Sequence, residues 1–233
     1  MSDVRFGMFD PDAEVDRSVR FLPHWFQPGV AVFLTFRTRD SMPADVVLRW
    51  QTEQREWLQR QGISLNVNDP LPEITSLPQR LRASFQQHRD RLFHWQLDAC
   101  HGECVLRQPD LARLVIDSLW HFDGQRYDID SAIVMPNHVH LLVQFRSPTT
   151  CREQCTSWLH FTAAALNRKL GRKGAFWQSE PFDHLVRSPE QFAYLRRYIA
   201  ENGLKAKLPA TDYLYVDRRS ASATAGGTGP TRE

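Results

Sequence analysis

Two histidines separated by one residue are the part of this sequence best suited to chemistry. His138 and His140 lie in an apolar run that follows the corner Met135-Pro136-Asn137. Residues two apart in a β-strand project from the same face, so the two imidazoles would lie together while Val139 packs on the other side. Two imidazoles on a rigid strand can supply half of a metal site. The same pattern also fits two ordinary histidines at the surface or at the edge of a core.

The rest of the chain predicts a mixture of strands and helices. Runs of β-branched and aromatic residues predict strands, and apolar residues at helical spacing predict helices. Predicted strands span residues 30–38, 127–135, 138–143 and 182–187, and predicted helices span 44–61, 79–96, 109–122, 150–170 and 189–202. Ser188 before Pro189 is typical of a helix start, and Gly203 is typical of a helix end.

The charge of the chain is unevenly distributed. The net charge is +2, but residues 1–130 hold 15 basic and 19 acidic residues, whereas residues 131–233 hold 14 and 8. An excess of cations beside the histidines favours a phosphate-rich partner, although a solvated surface of mixed charge would give the same count. Four cations cluster near two glycines: Arg168, Lys169, Arg172 and Lys173. This basic turn suits backbone phosphates, and it equally suits the negative end of a helix dipole.

Several classes of protein are disfavoured by the sequence. The first 16 residues are acidic and mixed, unlike a signal peptide, and no apolar run approaches the length of a membrane span. The four cysteines form two pairs with three intervening residues, Cys100 with Cys104 and Cys151 with Cys155. We expect reduced thiols rather than disulfides, with a structural zinc site as the alternative. Residues 1–28 are interpreted as an N-terminal arm and residues 211–233 as a flexible C-terminal tail.

Taken together, the motifs resemble those of the REP-associated tyrosine transposases, which belong to the HUH single-tyrosine transposase superfamily. The resemblance covers residues 30–208. The matching segments are Thr35-Phe36-Arg37, Phe122-Asp123-Gly124, Val134-Met135-Pro136-Asn137-His138-Val139-His140-Leu141-Leu142, Trp158-Leu159-His160-Phe161-Thr162, Phe176-Trp177-Gln178, Phe182-Asp183-His184 and Arg197-Tyr198-Ile199-Ala200-Glu201-Asn202. The Met-Pro-Asn-His-Val-His segment is highly specific, and so is its combination with the tyrosine segment about 60 residues later.

The resemblance implies an α+β fold with a ferredoxin-like antiparallel sheet and helices packed on one face. A catalytic domain would span residues 29–210, with a helical insertion at about 45–96 after the first strand. His138 and His140 would bind a divalent metal, Mg2+ or Mn2+. Tyr198 would be the nucleophile, and Asn202, one helical turn further on, would be the third ligand.

The resemblance also implies an activity and a partner. The protein would bind single-stranded hairpin DNA of the repeated extragenic palindromic type, cleave it through a covalent phosphotyrosine, and be able to rejoin it. Arg196 and Arg197, with the basic turn, would contact the DNA. A monomer is favoured over a dimer, in the bacterial cytoplasm and associated with the nucleoid. Two alternatives remain open, a hairpin-binding protein without turnover and a metal-dependent hydrolytic nuclease.

The sequence departs from the family pattern after the tyrosine. The family commonly continues Asn-Pro-Val-x-Ala-Gly-Leu, whereas the run from Asn202 to Leu208 here is Asn-Gly-Leu-Lys-Ala-Lys-Leu. Gly203 could still end the helix, so the departure concerns local geometry rather than the nucleophile. Tyr194, one helical turn before Tyr198, is a rival nucleophile with a poorer match to the motif.

Overall fold

The computed structural model describes residues 4–19, 23–66, 71–72, 74–179 and 181–218. The chain divides into two units, Met1–Arg39 with Cys104–Glu233 and, between them in sequence, Asp40–Glu103. The helical insertion predicted at about 45–96 falls within the second unit. The histidines and Tyr198 belong to the first unit, which therefore carries the candidate site.

Seven strands are present in the described part of the chain. They are β1 (Asp16–Val19), β2 (Pro23–Phe26), β3 (Ala31–Arg37), β4 (Tyr127–Val134), β5 (His138–Phe145), β6 (Phe182–Leu185) and β7 (Leu214–Asp217). β1 and β2 form an antiparallel pair, and the other five form one antiparallel sheet in the order β6-β3-β5-β4-β7. The central strands β4 and β5 are buried at every position.

The described helices complete an α+β fold. They are α1 (Ala44–Arg60), α2 (Gln79–Asp98), α3 (Pro109–Trp120), α4 (Pro148–Leu170) and α5 (Pro189–Lys205), with short 3-10 helices at Ile74–Ser76 and Val105–Arg107. α3 precedes β4, and α4 connects β5 to β6. The strands β3, β4, β5 and β6 thus have the order and antiparallel pairing of a ferredoxin-like sheet, and the α+β prediction is confirmed.

The sheet is covered on both faces by apolar side chains. Val32 and Leu34 of β3 pack with the helices α3 and α4 on one face, as predicted. Phe33, which projects from the opposite face, packs with Leu195 and Ile199 of α5. α5 therefore adds a layer on the second face, and this is the face from which His138 and His140 project.

Both ends of the first unit are more regular than the sequence suggested. The predicted arm contains the β1–β2 pair, and part of the predicted tail forms β7 at the edge of the sheet beside β4. Arg218 follows β7 and donates hydrogen bonds to the carbonyl of Ile129 (2.7 Å) and the carboxylate of Asp123 (2.9 Å). These bonds fix the strand in place. The remainder of the predicted tail, 219–233, lies outside the described residues.

Gly203 does not end the tyrosine helix, contrary to the prediction. α5 continues to Lys205 and is capped at Ala206. A Cβ atom at Gly203 would overlap the aromatic ring of Tyr213, which packs directly on the helix backbone there. The glycine is therefore required for close packing rather than for a left-handed helix terminus.

Replacing Gly203 with alanine should destabilise the protein. Alanine favours helix by about 1 kcal/mol over glycine, but overpacking against the partly buried ring of Tyr213 is expected to cost about 1–3 kcal/mol. We expect a net loss of unfolding free energy in urea denaturation. Leu204→Ala, on the exposed side of the same helix, is the matched control. A stabilised Gly203→Ala variant, or a loss that Tyr213→Ala does not relieve, would contradict this account.

The second unit is built from α1 and α2, with two small clusters of buried apolar residues. Val46 and Leu97 belong to one cluster, and Leu58 and Phe85 to the other. Within the part of the chain that is described, no helix is long and apolar enough to cross a membrane.

Candidate active site

The strand β5 holds both histidines in the interior of the first unit. His138 and His140 are fully buried. In the pairing of β3 with β5, Thr35 lies opposite His140 and Arg37 lies opposite His138. Cross-strand partners share a face, so polar residues of β3 flank the imidazoles on their own side of the sheet.

Each of the two imidazoles has one nitrogen beside a side-chain oxygen and the other nitrogen beside the second histidine. Nδ1 of His140 lies 2.9 Å from the Thr35 hydroxyl, and Nδ1 of His138 lies 2.7 Å from the side-chain oxygen of Asn137. An amide oxygen can only accept, so His138 donates from Nδ1, and its Nε2 keeps a lone pair when the ring is neutral. The two Nε2 atoms converge to 3.1 Å from each other.

This donor set fits a metal ion. Metal–imidazole bonds are about 2.1 Å long, so two nitrogens bound at right angles lie about 3.0 Å apart. Metal-binding histidines usually have the outer ring nitrogen bonded to an oxygen, which sets the tautomer and orients the ring. Thr35 and Asn137 occupy these outer positions. His138 and His140 therefore have the spacing and the support expected of a ligand pair.

Removing the hydroxyl of Thr35 tests this support. Thr35→Val keeps the shape of the side chain but takes away the partner of His140 Nδ1, and such changes typically reduce metal affinity about 10- to 100-fold. We expect that loss for Mn2+ measured by isothermal titration calorimetry. Thr211→Val, at an exposed position, should bind Mn2+ as the wild type does. Equal affinities for Thr35→Val and wild type would refute the role of Thr35.

Tyr198 reaches the histidines from α5. Its hydroxyl lies 3.4 Å from Nε2 of His140, and the two rings are 5.4 Å apart between centroids. Phe33 contacts both side chains: it stacks on His140 at 5.1 Å and meets the Tyr198 ring edge-on at 6.1 Å. A rigid aromatic contact thus holds the phenol oxygen next to the nitrogen pair, and a single phosphate could reach both.

The other polar residues of α5 differ in burial. Asn202, four residues after Tyr198, is fully buried, which is a suitable environment for a positioned amide ligand. Tyr194, the rival nucleophile, is 55% exposed, and its ring stacks against Tyr198 with 6.4 Å between centroids. Tyr198, rather than Tyr194, contacts a histidine nitrogen within the described structure.

The basic turn lies at the end of α4 and is exposed. The ammonium of Lys169 is 2.7 Å from the carboxylate of Asp110, so this cation already has a partner. The chain that follows the turn runs beside β3 at its histidine end, where the amide of Gln178 donates to the carbonyl of Arg37. The basic turn is therefore only a few residues of chain away from the end of the sheet that carries His138.

The two consecutive arginines of α5 have different environments. Arg196 donates from Nε to the buried carboxylate of Asp130 at 2.9 Å and lies over the ring of Phe192. The ion pair with Asp130 raises the pKa of Arg196, mainly through the hydrogen bond. Arg197 is exposed. Of the predicted DNA-binding pair, Arg196 thus links α5 to β4 although its side chain is about half exposed, and Arg197 is also exposed.

Sequence reasoning missed the roles of Thr35 and Phe33. The signal for Thr35 was a polar residue between the apolar residues Leu34 and Phe36 of a predicted strand. Its pairing with His140 depends on the register between strands about 100 residues apart in sequence, which local patterns do not specify. Phe33 is a buried core residue, and its ring also contacts both His140 and Tyr198.

A solved structure is weakly similar to this chain. No protein-family model and no curated relative matches the sequence. Among solved structures, a REP-associated tyrosine transposase bound to a REP hairpin matches with 14% identity and a TM-score of 0.37. The alignment covers 80% of this chain and 74% of that one. At this TM-score, the similarity does not support a function for this chain, which has to be inferred from the motif residues and their geometry.

Proposed function

We propose that this protein is a metal-dependent single-strand DNA transesterase that binds, cleaves and can rejoin hairpins of the repeated extragenic palindromic type. The observation that carries the proposal is the position of the Tyr198 hydroxyl, 3.4 Å from Nε2 of His140 in a converging imidazole pair. A tyrosine that served packing alone would not need this neighbour. The motif resemblance to REP-associated tyrosine transposases supplies the substrate class.

The proposed step exchanges one phosphoester for another. The Tyr198 oxygen attacks the scissile phosphorus and loses its proton to solvent, while the bond from phosphorus to the 3′ oxygen breaks and that oxygen takes up a proton. The products are a DNA strand joined to Tyr198 through its 5′ phosphate and a free 3′ hydroxyl. Because the phosphoester is kept, the hydroxyl can attack phosphorus in turn and rejoin the strands. No nucleotide cofactor is required.

The residues that would hold the metal are His138, His140 and Asn202. A bound Mg2+ or Mn2+ supplies Lewis-acid polarisation of a phosphate oxygen and a template for the reacting groups. A phenol with an ordinary pKa of about 10 is a weak nucleophile, so activation of the phosphate matters here. Two imidazoles and one amide do not complete the coordination of either ion, which leaves positions for phosphate oxygens.

The experiment that tests the proposal looks for the covalent intermediate. The protein is incubated with Mn2+ and a 3′-labelled single-stranded hairpin with unpaired flanks, so that the label stays on the strand joined to the protein, then run on a denaturing protein gel. A labelled protein band with DNA attached through tyrosine is the expected result. Cleaved DNA without an adduct would instead indicate a hydrolytic nuclease, and binding without cleavage would indicate a hairpin-binding protein.

The basic turn should contribute to binding through contacts with DNA phosphates. Replacing Arg168, Arg172 and Lys173 with alanine should flatten the dependence of log affinity on log salt by up to about 3, because each lost phosphate contact removes about 1 from the slope. Fluorescence anisotropy from low to moderate salt measures this. Arg152→Ala, at the other end of α4, should leave the slope unchanged. A triple variant with the wild-type slope would exclude the turn from the interface.

A further inference from the structure

One flank of α5 presents an aromatic ring and a cation on either side of Tyr198. Tyr194 lies one turn before it and Lys205 two turns after it, so all three project along the same flank of the helix. The Tyr194 ring is nearly parallel to that of Tyr198, at 18°, with 6.4 Å between centroids. The ammonium of Lys205 lies 5.8 Å from the centroid of the Tyr198 ring. The proposed nucleophile thus lies between an aromatic ring that can stack and a cation that can bind phosphate.

The exposure of Tyr194 is not explained by the core of the protein. The ring is 55% exposed, whereas the buried stripe of the same helix is formed by Phe192, Leu195 and Ile199. An exposed tyrosine ring offers a flat apolar face at a low cost in conformational entropy. Unpaired nucleobases stack on such faces regardless of sequence, whereas bases within a duplex have theirs covered.

Lys205 can move from its present partner to a phosphate. Its ammonium pairs with Glu201 at 3.1 Å, one turn earlier in α5, and both side chains are about half exposed. Exposed pairs of this kind contribute little to stability, so exchanging the carboxylate for a phosphate oxygen costs little free energy. Arg196, in contrast, is bonded to the buried carboxylate of Asp130. Cations on this helix therefore differ in their availability.

We propose that this flank of α5 is the binding track for the single-stranded DNA next to the scissile phosphate. An unpaired base stacks on Tyr194, and a backbone phosphate binds Lys205. The strand thereby crosses Tyr198 with its phosphate facing the phenol oxygen. Tyr194 acts as a positioning residue and not as a second nucleophile. This inference deepens the proposed function, since it assigns the residues that place the substrate of that reaction.

The stacking contact is tested by combining protein and DNA changes. Anisotropy is measured without metal, so that no chemistry occurs, on hairpins carrying one abasic site at each unpaired flank position. Tyr194→Ala should weaken binding about tenfold, and Tyr194→Phe should restore it. At one flank position, the abasic change should weaken binding by the wild type but not by Tyr194→Ala. Independent effects at every position, or a Tyr194→Ala variant with wild-type affinity, would overturn the stacking role.

The phosphate contact is tested by salt dependence. Lys205→Ala should lower the salt slope by about 1, Lys205→Arg should keep it, and the nearby exposed Lys207→Ala is the matched control. A slope unchanged in Lys205→Ala would exclude Lys205 from the track. These measurements can refute the binding track without refuting the proposed function, and the reverse also holds. Binding by the track without any adduct would refute the transesterase, and an adduct with no effect of Tyr194 or Lys205 on binding would refute the track.

Discussion

Tyr198→Phe should eliminate the covalent protein–DNA adduct while leaving DNA binding nearly intact. The substitution removes one oxygen, the proposed nucleophile, and keeps the ring that packs against Phe33 and His140. Affinity for hairpin DNA and the free energy of unfolding should each change by about 1 kcal/mol or less, the amount expected for one hydrogen bond. Cleavage should fall below detection, since no other phenol contacts the histidine pair among the described residues.

The measurement combines a denaturing gel for the adduct, anisotropy for binding and urea denaturation for stability. Tyr213→Phe, which changes a tyrosine that packs on Gly203, is the control and should retain the adduct. An adduct that persists in Tyr198→Phe and disappears in Tyr194→Phe would transfer the nucleophile to Tyr194. Cleavage that persists in Tyr198→Phe without an adduct would favour a hydrolytic reaction with Tyr198 in a structural role.

Local patterns in the sequence predicted the elements that carry the site. The strand period predicts His138 and His140 on one face, and the two Nε2 atoms do converge. Ser188 and Pro189 correctly marked the start of α5, and the Ser188 hydroxyl accepts a hydrogen bond from the amide of Gln191. Helical spacing then placed Tyr198 and Asn202 one turn apart. These features depend on residues close in sequence, which is why periodicity and capping rules found them.

The features that the sequence did not predict all depend on distant partners. Thr35 supports His140 only because β3 pairs with β5 in one particular register. Gly203 was interpreted as a helix end because glycine is common there, whereas the packing of Tyr213 requires it within the last turn of α5. Arg196 was predicted to contact DNA together with Arg197 and the basic turn. Its partner, the buried Asp130, lies on strand β4, 66 residues earlier in the chain, and could not be identified from local sequence.

The cations in the second half of the chain therefore differ in how readily they can bind DNA phosphates. The net positive charge of the second half of the chain favoured a phosphate-rich partner, but individual cations there have carboxylate partners of different burial. Arg196 is bonded to the buried carboxylate of Asp130, whereas the carboxylate partners of Lys169 and Lys205 are exposed and can be exchanged for phosphate. A count of positive residues therefore overstates the cations that can bind phosphate. The salt slope of single variants measures this distinction better than their affinity does, because the slope reports the number of phosphate contacts.

Replacing either histidine should remove metal binding and, with it, cleavage. His138→Ala or His140→Ala deletes one of two converging nitrogens, and the effect should exceed the about 100-fold upper range typical for a supporting residue such as Thr35. Both side chains are fully buried, so the alanine variants also lose packing; His138→Gln and His140→Gln fill more of the space and should likewise bind Mn2+ poorly. Calorimetry with Mn2+ measures this directly, and chelation of the metal should reproduce the loss of cleavage in the wild type.

His184→Gln is the matched control for the histidine variants. His184 is on β6, paired with Phe33, and its Nε2 lies 2.7 Å from the side-chain nitrogen of Gln191. Burial, with a smaller contribution from Arg187, lowers the pKa of His184, so its ring is neutral near pH 7 and is engaged away from the nitrogen pair. We expect wild-type Mn2+ affinity for this variant. If His184→Gln impaired Mn2+ binding as strongly as His140→Gln, the loss would reflect the packing of the sheet face rather than a ligand at His140. If neither His138 nor His140 mattered for Mn2+, the pair would be ordinary core histidines, and the transesterase would lack its metal.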